Sequence, residues 1–334
     1  MTRAPRHTGW AAVGCSLPVA AFALVPFVAG DHPLVRSFAL VYISIILEAL
    51  PFLLLGALVG GGVEVLVSRE RLTALLPRRQ GAVPFVAAAL GLLFPVCECA
   101  VVPAVRRLVG KGFPLSAAVA YLLGGPIVNP LVAASTAMAY ASDARMVTAR
   151  LAAGYGIAVA VALLMGRWFA ARPAVLARLA QAEPAAPGHG LSGPAPAGRG
   201  VRVLRHAAED FLVTAPYVVV GAALAALAQT VVDRRVVLAL AGWPLLPEAA
   251  MMLLAVLLNL CSEADAFIAA SFRGLVPGTA QLAFLLLGPM LDLKLLLLYR
   301  TLFTRRALLI LALLIPSAVA VVVAALGLSG WGGP

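Results

Sequence analysis

The chain has 334 residues, of which 63% are hydrophobic and only 12% charged. A soluble domain is roughly half apolar and roughly a quarter charged, so a soluble fold is excluded, and the long unbroken apolar runs exclude a β-barrel, whose strands alternate. The net charge of +11 sits in short basic clusters between the apolar runs, without aromatic interleaving, which excludes a nucleic-acid surface.

The expected fold is an all-α polytopic membrane protein, because an open chain in lipid must satisfy its backbone hydrogen bonds internally. Arg3 and Arg6 precede a first apolar run at 10–30, which carries prolines at 18 and 26 and no clean small-residue cleavage site. It reads as an N-terminal transmembrane helix (1–36) with its N-terminus inside, rather than a cleavable signal. The next run, 37–67, carries Glu48 just before Pro51, then Gly56, Gly60, Gly61 and Gly62. The glycines suit close helix packing. Glu48 is a candidate pathway residue, whereas Glu64 is interfacial. A basic loop, 68–80, leads into 82–105, which holds Phe94-Pro95-Val96-Cys97-Glu98-Cys99-Ala100-Val101-Val102-Pro103. Cysteine alone is unremarkable in a core, but a carboxylate in so apolar a segment costs several kcal/mol if it faces lipid and marks a functional site.

Arg106, Arg107 and Lys111 follow, then apolar 114–140, interrupted by Gly124-Gly125-Pro126-Ile127-Val128-Asn129-Pro130, then a helix at 146–169. This completes a first membrane repeat, 37–169. Residues 170–206 are rich in Pro, Gly, Ala and Arg without helical period and read as a flexible cytoplasmic linker. A second membrane repeat, 207–328, resumes with runs at 211–232, 236–272, 278–299 and 307–327.

The halves match at an offset near 163. Leu122-Leu123-Gly124-Gly125-Pro126-Ile127-Val128-Asn129 aligns with Leu285-Leu286-Leu287-Gly288-Pro289-Met290-Leu291-Asp292. Pro51-Phe52…Gly56-Ala57 matches Pro216-Tyr217…Gly221-Ala222, Lys111-Gly112 matches Arg273-Gly274, and Cys97-Glu98-Cys99 falls on Cys261-Ser262-Glu263-Ala264-Asp265. Four matches in the same order indicate a duplication. Helix-breaking polar segments at corresponding points of two halves are the sequence pointer to a transporter site at the midplane.

Loop charge sets the topology. Residues 1–9 carry +2, 68–80 and 106–112 carry +3 each, 167–206 carry +5 and 300–306 carry +3; 31–36, 141–150, 233–235 and 273 carry between 0 and +1. If 82–105 enters and returns on one side, and the Cys261 segment does likewise, every strongly basic connection is inside. The expectation is therefore two inverted-topology repeats, each with a broken or re-entrant helix at the midplane, with about seven crossings and two hairpins. Nine plain crossings is the alternative.

The four cysteines (Cys15, Cys97, Cys99, Cys261) all lie in apolar segments, which disfavours a secreted disulfide framework. The four histidines lie in polar or loop stretches, so a buried metal site would have to use sulfur and carboxylate. Cys97 and Cys99 point about 200° apart on an intact helix and can share an ion only where the backbone unwinds. Pro95 and Pro103 bracket that place, as Pro126 and Pro289 mark the other helix breaks. The pathway set is Cys97, Glu98, Cys99, Cys261, Glu263, Asp265, Asn129, Asn259, Asp292 and Glu48, with Cys97, Cys99 and Cys261 as metal ligands. Asn129 and Asp292 follow Gly-Pro breaks and could cap exposed helix ends. Lys294 either pairs with Asp292 or snorkels. Cys15 is assigned to packing.

Pro95-Val-Cys97-Glu98-Cys99, the following Val-Val-Pro103-Ala-Val-Arg106-Arg107, Lys111-Gly112, Pro114-Leu-Ser-Ala-Ala and Gly125-Pro126-Ile-Val-Asn129-Pro130 resemble the bacterial predicted-permease family that includes the ArsP organoarsenical efflux permeases. Cys261-Ser262-Glu263-Ala264-Asp265-Ala-Phe-Ile-Ala-Ala-Ser-Phe272 is similar to the second signature of one branch. The resemblance covers most of 37–300. It implies a permease of the bacterial cytoplasmic membrane, not an enzyme, exporting a heavy metal or metalloid. No cofactor is expected to be permanently bound. The expected partners are the bilayer, a small inorganic or organometalloid substrate and a membrane or metal-binding protein. An intramembrane thiol–disulfide relay and a non-transporting membrane scaffold are the rival readings. No Gly-x-x-x-x-Gly-Lys-Ser/Thr motif is present, so any ATP would be supplied by a partner.

Overall fold

The computed structural model describes residues 33–66, 77, 79, 81–92, 97–169, 198–231 and 246–331. Cys15, Pro95, most of the N-terminal helix and residues 170–197 of the linker lie outside these. The described residues form helices and turns only. In chain order they are α1 (Pro33–Leu66), α2 (Val83–Ala89, continued by a 3-10 turn at Leu90–Leu92), α3 (Glu98–Gly110), α4 (Leu115–Gly124), α5 (Pro130–Ala139) and α6 (Ala144–Phe169). Then come α7 (Arg199–Val231), α8 (Pro247–Leu258), α9 (Ala264–Ala270), α10 (Gly278–Leu287), α11 (Leu293–Tyr299) and α12 (Arg305–Leu328).

One pattern occurs twice: a long helix, four short ones and a long helix. The long helices α1, α6, α7 and α12 have 34, 26, 33 and 24 residues, and each is long and apolar enough to cross a membrane. Their outward faces carry large apolar side chains such as Leu40, Leu47, Leu224, Leu313 and Val321, the surface that lipid requires. A ten-residue helix spans only ~15 Å, about half of a hydrocarbon core. The short helices are therefore half-length elements meeting near mid-depth. The protein is an all-helical, multi-pass membrane protein.

The breaks follow from the sequence. Gly124-Gly125-Pro126 ends α4, because Pro126 cannot continue the ladder, and Asn129 restarts it: its side chain accepts from Leu131 N–H at 2.9 Å. The same grammar recurs at Gly288-Pro289, where Asp292 accepts from Leu295 N–H at 2.6 Å and starts α11. Both caps are as the sequence suggests. Pro103 is a correction. It sits inside an unbroken α3, and its ring only removes the N–H that would have bonded the Cys99 carbonyl.

Contacts fix which ends lie together. Lys111 donates to the Glu64 carbonyl at 2.7 Å and faces its carboxylate at 3.7 Å, and Arg107 Nε donates to Asp210 at 2.9 Å. The C-terminal ends of α1 and α3 and the first turns of α7 thus meet at one end of the bundle. Gly166 packs over Ser116, bringing the end of α6 and the start of α4 to the same end. Ala88 meets Gly124, and Gly91 meets Gly125 and Val128, so α2 runs beside α4 in the same direction. The α2–α3 pair therefore enters and leaves at this one end, as the charge reading requires, rather than crossing. At the opposite end Tyr140 donates to Gln281 at 3.0 Å, Arg273 lies 5.2 Å over the Tyr140 ring, and Thr279 donates to Glu248 at 2.8 Å. The α8–α9 pair opens there.

Residues 33–36 are already helical and continuous with α1, and 199–206 form helical turns of α7 rather than non-helical linker. Of the four α1 glycines, three pack closely: Gly56 on Ala100, Gly60 on the Asp210 carboxylate and Pro103, Gly61 on the Val203 carbonyl. Gly62 faces open space.

Candidate functional site

The two tips meet at a pocket lined by Ile45, Glu48, Ala49, Cys97, Glu98, Cys99, Asn259, Cys261 and Lys294. Three unwound or newly started backbones converge there. Cys97 is the extended N-cap residue of α3 (φ −73°, ψ 169°), while Cys99 lies in the first turn. That change of backbone removes the opposed geometry of an intact helix, and both thiols line the pocket. Asn259 closes α8 in the left-handed region (φ 51°, ψ 44°), a conformation that asparagine tolerates better than most residues. The chain then runs free of helix through Cys261, which lines the pocket together with Glu48. All three thiols are free, with Cys97 and Cys99 buried and Cys261 half-buried.

A charged network joins the halves across the pocket. Lys294 Nζ lies 3.2 Å from Glu98 Oε1 and 3.7 Å from Asp292 Oδ2. Asn259, with its amide oriented to satisfy the network, donates to Asp292 at 2.6 Å. Glu98, Asp292 and Lys294 are 1%, 0% and 3% exposed, so the network is wholly desolvated. Glu98 is further stabilised by the N-terminus of α3, in whose first turn it sits. Its second oxygen, Oε2, has no partner among the described residues. Lys294 does not snorkel: it is buried, and two carboxylates are adjacent. The pairing with Asp292, one of the two readings of the sequence, is present; the closer pairing with Glu98 of the other half was not legible.

The remaining predicted residues lie elsewhere. Asn129 is confined to its cap on α5. Glu263 is at the N-cap position of α9 and accepts from Ser262 Oγ at 3.2 Å, beside the pocket but not lining it. Asp265 is 1% exposed and lies behind the tip, its Oδ2 against Gly288 and without a hydrogen-bond partner among the described residues. Arg150, counted in the sequence as a loop charge, is instead a fully buried residue of α6. Among the described residues no three His, Cys, Asp or Glu side chains are gathered closely enough to hold a metal ion. The predicted three-sulfur set thus shares a pocket without being assembled into a ligand cluster. Soft sulfur beside a neutralised carboxylate can bind a thiol-reactive species, and the carboxylates can exchange a cation or proton.

Long apolar spans around broken helices and a buried polar pocket define a membrane permease. A family model described as a predicted permease matches residues 34–328, and the chain belongs to that family. It is 36% identical over 267 residues to the UPF0718 protein YcgR of Bacillus subtilis, covering 80% of this chain and 88% of that one. It is 34% identical over 265 residues to a Streptococcus mutans protein named as a putative two-component membrane permease complex subunit, covering 79% and 86%. No solved structure matches.

Proposed function

We propose that this permease exports a soft metal ion or a thiol-reactive metalloid across the bacterial inner membrane, through the Cys97–Cys99–Cys261 pocket. The observation that carries the reading is the convergence of three free thiols, from two separate half-helix pairs, on one buried pocket. Thiolate ligands favour Cu(I), Zn(II) and trivalent arsenic-type species. Cys97 and Cys99, together at the start of α3, take the cargo first, and Cys261 joins from the other half. Proton coupling runs through Glu98, Glu263 or Asp265. The halves are read as inverted-topology repeats, since the α2–α3 and α8–α9 pairs open at opposite ends of the bundle. The basic end, with the N-terminus and the linker, is cytoplasmic. One relative is named as a complex subunit, and a membrane or metal-binding partner is proposed here too.

The test is binding and uptake in proteoliposomes with Zn(II), Cu(I) and arsenite under imposed pH gradients. Cys97→Ser combined with Cys99→Ser is expected to weaken binding by about ten-fold or more, as loss of metal-ligand contacts does, and Glu98→Gln to impair transport at least as strongly. Vesicles that neither bind nor move any of the three sink the proposal. A thiol relay would instead die with the cysteines and ignore Glu98→Gln, and a scaffold would ignore all three changes.

Orientation has its own test. A side chain added at Gly110 meets no atom within 4 Å. Gly110→Cys is expected to react with an impermeant maleimide from the cytoplasmic face only; labelling from outside reverses the assignment.

A further inference from the structure

Arg150 is the largest fully buried side chain in the described bundle, and neither the repeat pattern nor the pocket explains it. It sits in α6, between apolar neighbours, where an unsupported guanidinium costs several kcal/mol. Its hydrogen bonds show what holds it. Nη1 donates to Thr136 Oγ1 at 2.8 Å, and Nη2 donates to the Ser262 carbonyl at 2.7 Å. Thr136 in turn donates to the Val132 carbonyl at 2.7 Å, so its hydroxyl is oriented with an acceptor lone pair toward the guanidinium. The Arg150 fork therefore ties α5 and α6, in the first half, to the non-helical tip of the α8–α9 pair, in the second.

An ordinary buried ion pair does not describe this arrangement. Asp265 and Glu263 both bear electrostatically on Arg150. Yet Asp265 Oδ2 and Arg150 Nε are each buried with no hydrogen-bond partner among the described residues. The guanidinium spends its directed bonds on a hydroxyl and a main-chain carbonyl. That carbonyl belongs to the residue next to Cys261, in a stretch where α8 has ended and α9 has not begun.

We infer that Arg150 is the positioning residue for Cys261: by holding the Ser262 carbonyl it fixes the tip and sets where the neighbouring thiol stands in the pocket. The importance of that placement rests on the proposed role of the pocket, but its test needs no cargo, so the two fail separately. Arg150→Lys keeps the charge and removes the fork, because one ammonium cannot serve Thr136 and Ser262 in the same geometry. The measurement is the rate of alkylation by a small neutral maleimide, in full-length single-thiol proteins that retain only Cys261 or only Cys97.

With the tip released, local opening at Cys261 rises, and its alkylation is expected to accelerate by about ten-fold while that of Cys97 changes less than about two-fold. Both proteins must elute and melt as the unsubstituted ones do. An unchanged Cys261 rate in folded protein overturns the inference, as does equal acceleration of both thiols, which would mean general loosening. Should Arg150→Lys fail to fold, Thr136→Val removes one anchor of the fork. It is then expected to accelerate Cys261 alone by about three-fold, and an unchanged rate there overturns the inference equally.

Discussion

Lys294→Met is expected to be among the most damaging single substitutions in the protein, costing about 3–5 kcal/mol. The ammonium is 3.2 Å from Glu98 and 3.7 Å from Asp292, with all three groups desolvated. Removing it leaves two buried carboxylates facing each other without a cation. The loss is of compensation rather than of an attraction, since a buried ion pair adds little net stability while a broken one is costly. Two consequences separate this account from simple mispacking. Methionine nearly matches the lysine stem in volume, so no cavity opens. Adding Glu98→Gln removes one of the stranded charges and should restore about half of the lost stability, as two residues in contact are coupled. Unfolding titrations of the single and double variants in mild detergent check both. Additive losses in the double variant would show that Lys294 acts through packing alone.

The site was partly legible before the structure. Cys97, Glu98, Cys99, Asn259, Cys261 and Glu48 all line the pocket; the carboxylates gave the signal, because an acid in an apolar run has few structural reasons to be there, and they marked the thiols beside them. Asn129 and Asp292 were legible as caps because Gly-Pro breaks create helix starts that need an acceptor. The pairing of Lys294 with Asp292 was one of two readings, but its link to Glu98 and the burial of Arg150 were not legible, for one reason: long basic side chains in or near a membrane segment ordinarily reach for its edge. Only the third dimension shows that Glu98 of the other half waits beside Lys294, or that Ser262 waits beside Arg150. Pro103 misled in the opposite way. Proline breaks a helix when the lost bond cannot be spared, but here it lies early in α3, near the pocket, and the helix continues through it. That α2 starts and α3 ends at the same end of the bundle was legible from loop charge and not from hydropathy, since two half-length helices together look like one span.

The duplication predicts a second large effect at a pair of glycines that the sequence alignment places in register. Gly56 lies where α1 crosses α3, and a Cβ there would overlap both the backbone and the side chain of Ala100. Gly221 lies where α7 crosses α11, and a Cβ there would come 2.8 Å from Lys294 Cα. Each glycine thus lets a long, proline-containing helix press against the first turn of a half-length helix that carries pocket residues: Cys97, Glu98 and Cys99 in one half, Lys294 in the other. The obstructing atoms are main chain or a Cβ fixed to it, so rotamer changes cannot relieve the clash. Gly56→Ala and Gly221→Ala are each expected to destabilise by about 1–3 kcal/mol, and the bulkier Gly56→Val and Gly221→Val by more, through displacement of those first turns. Gly62, also in α1, is the internal control. It faces no atom within 4 Å, so Gly62→Ala should stabilise by about 0.5–1 kcal/mol through helix propensity alone. Opposite signs at positions 56 and 62 of one helix, in the same unfolding assay, would locate the effect in the crossing. Equal signs would mean that the crossing yields, and that the pocket is not built on these two contacts.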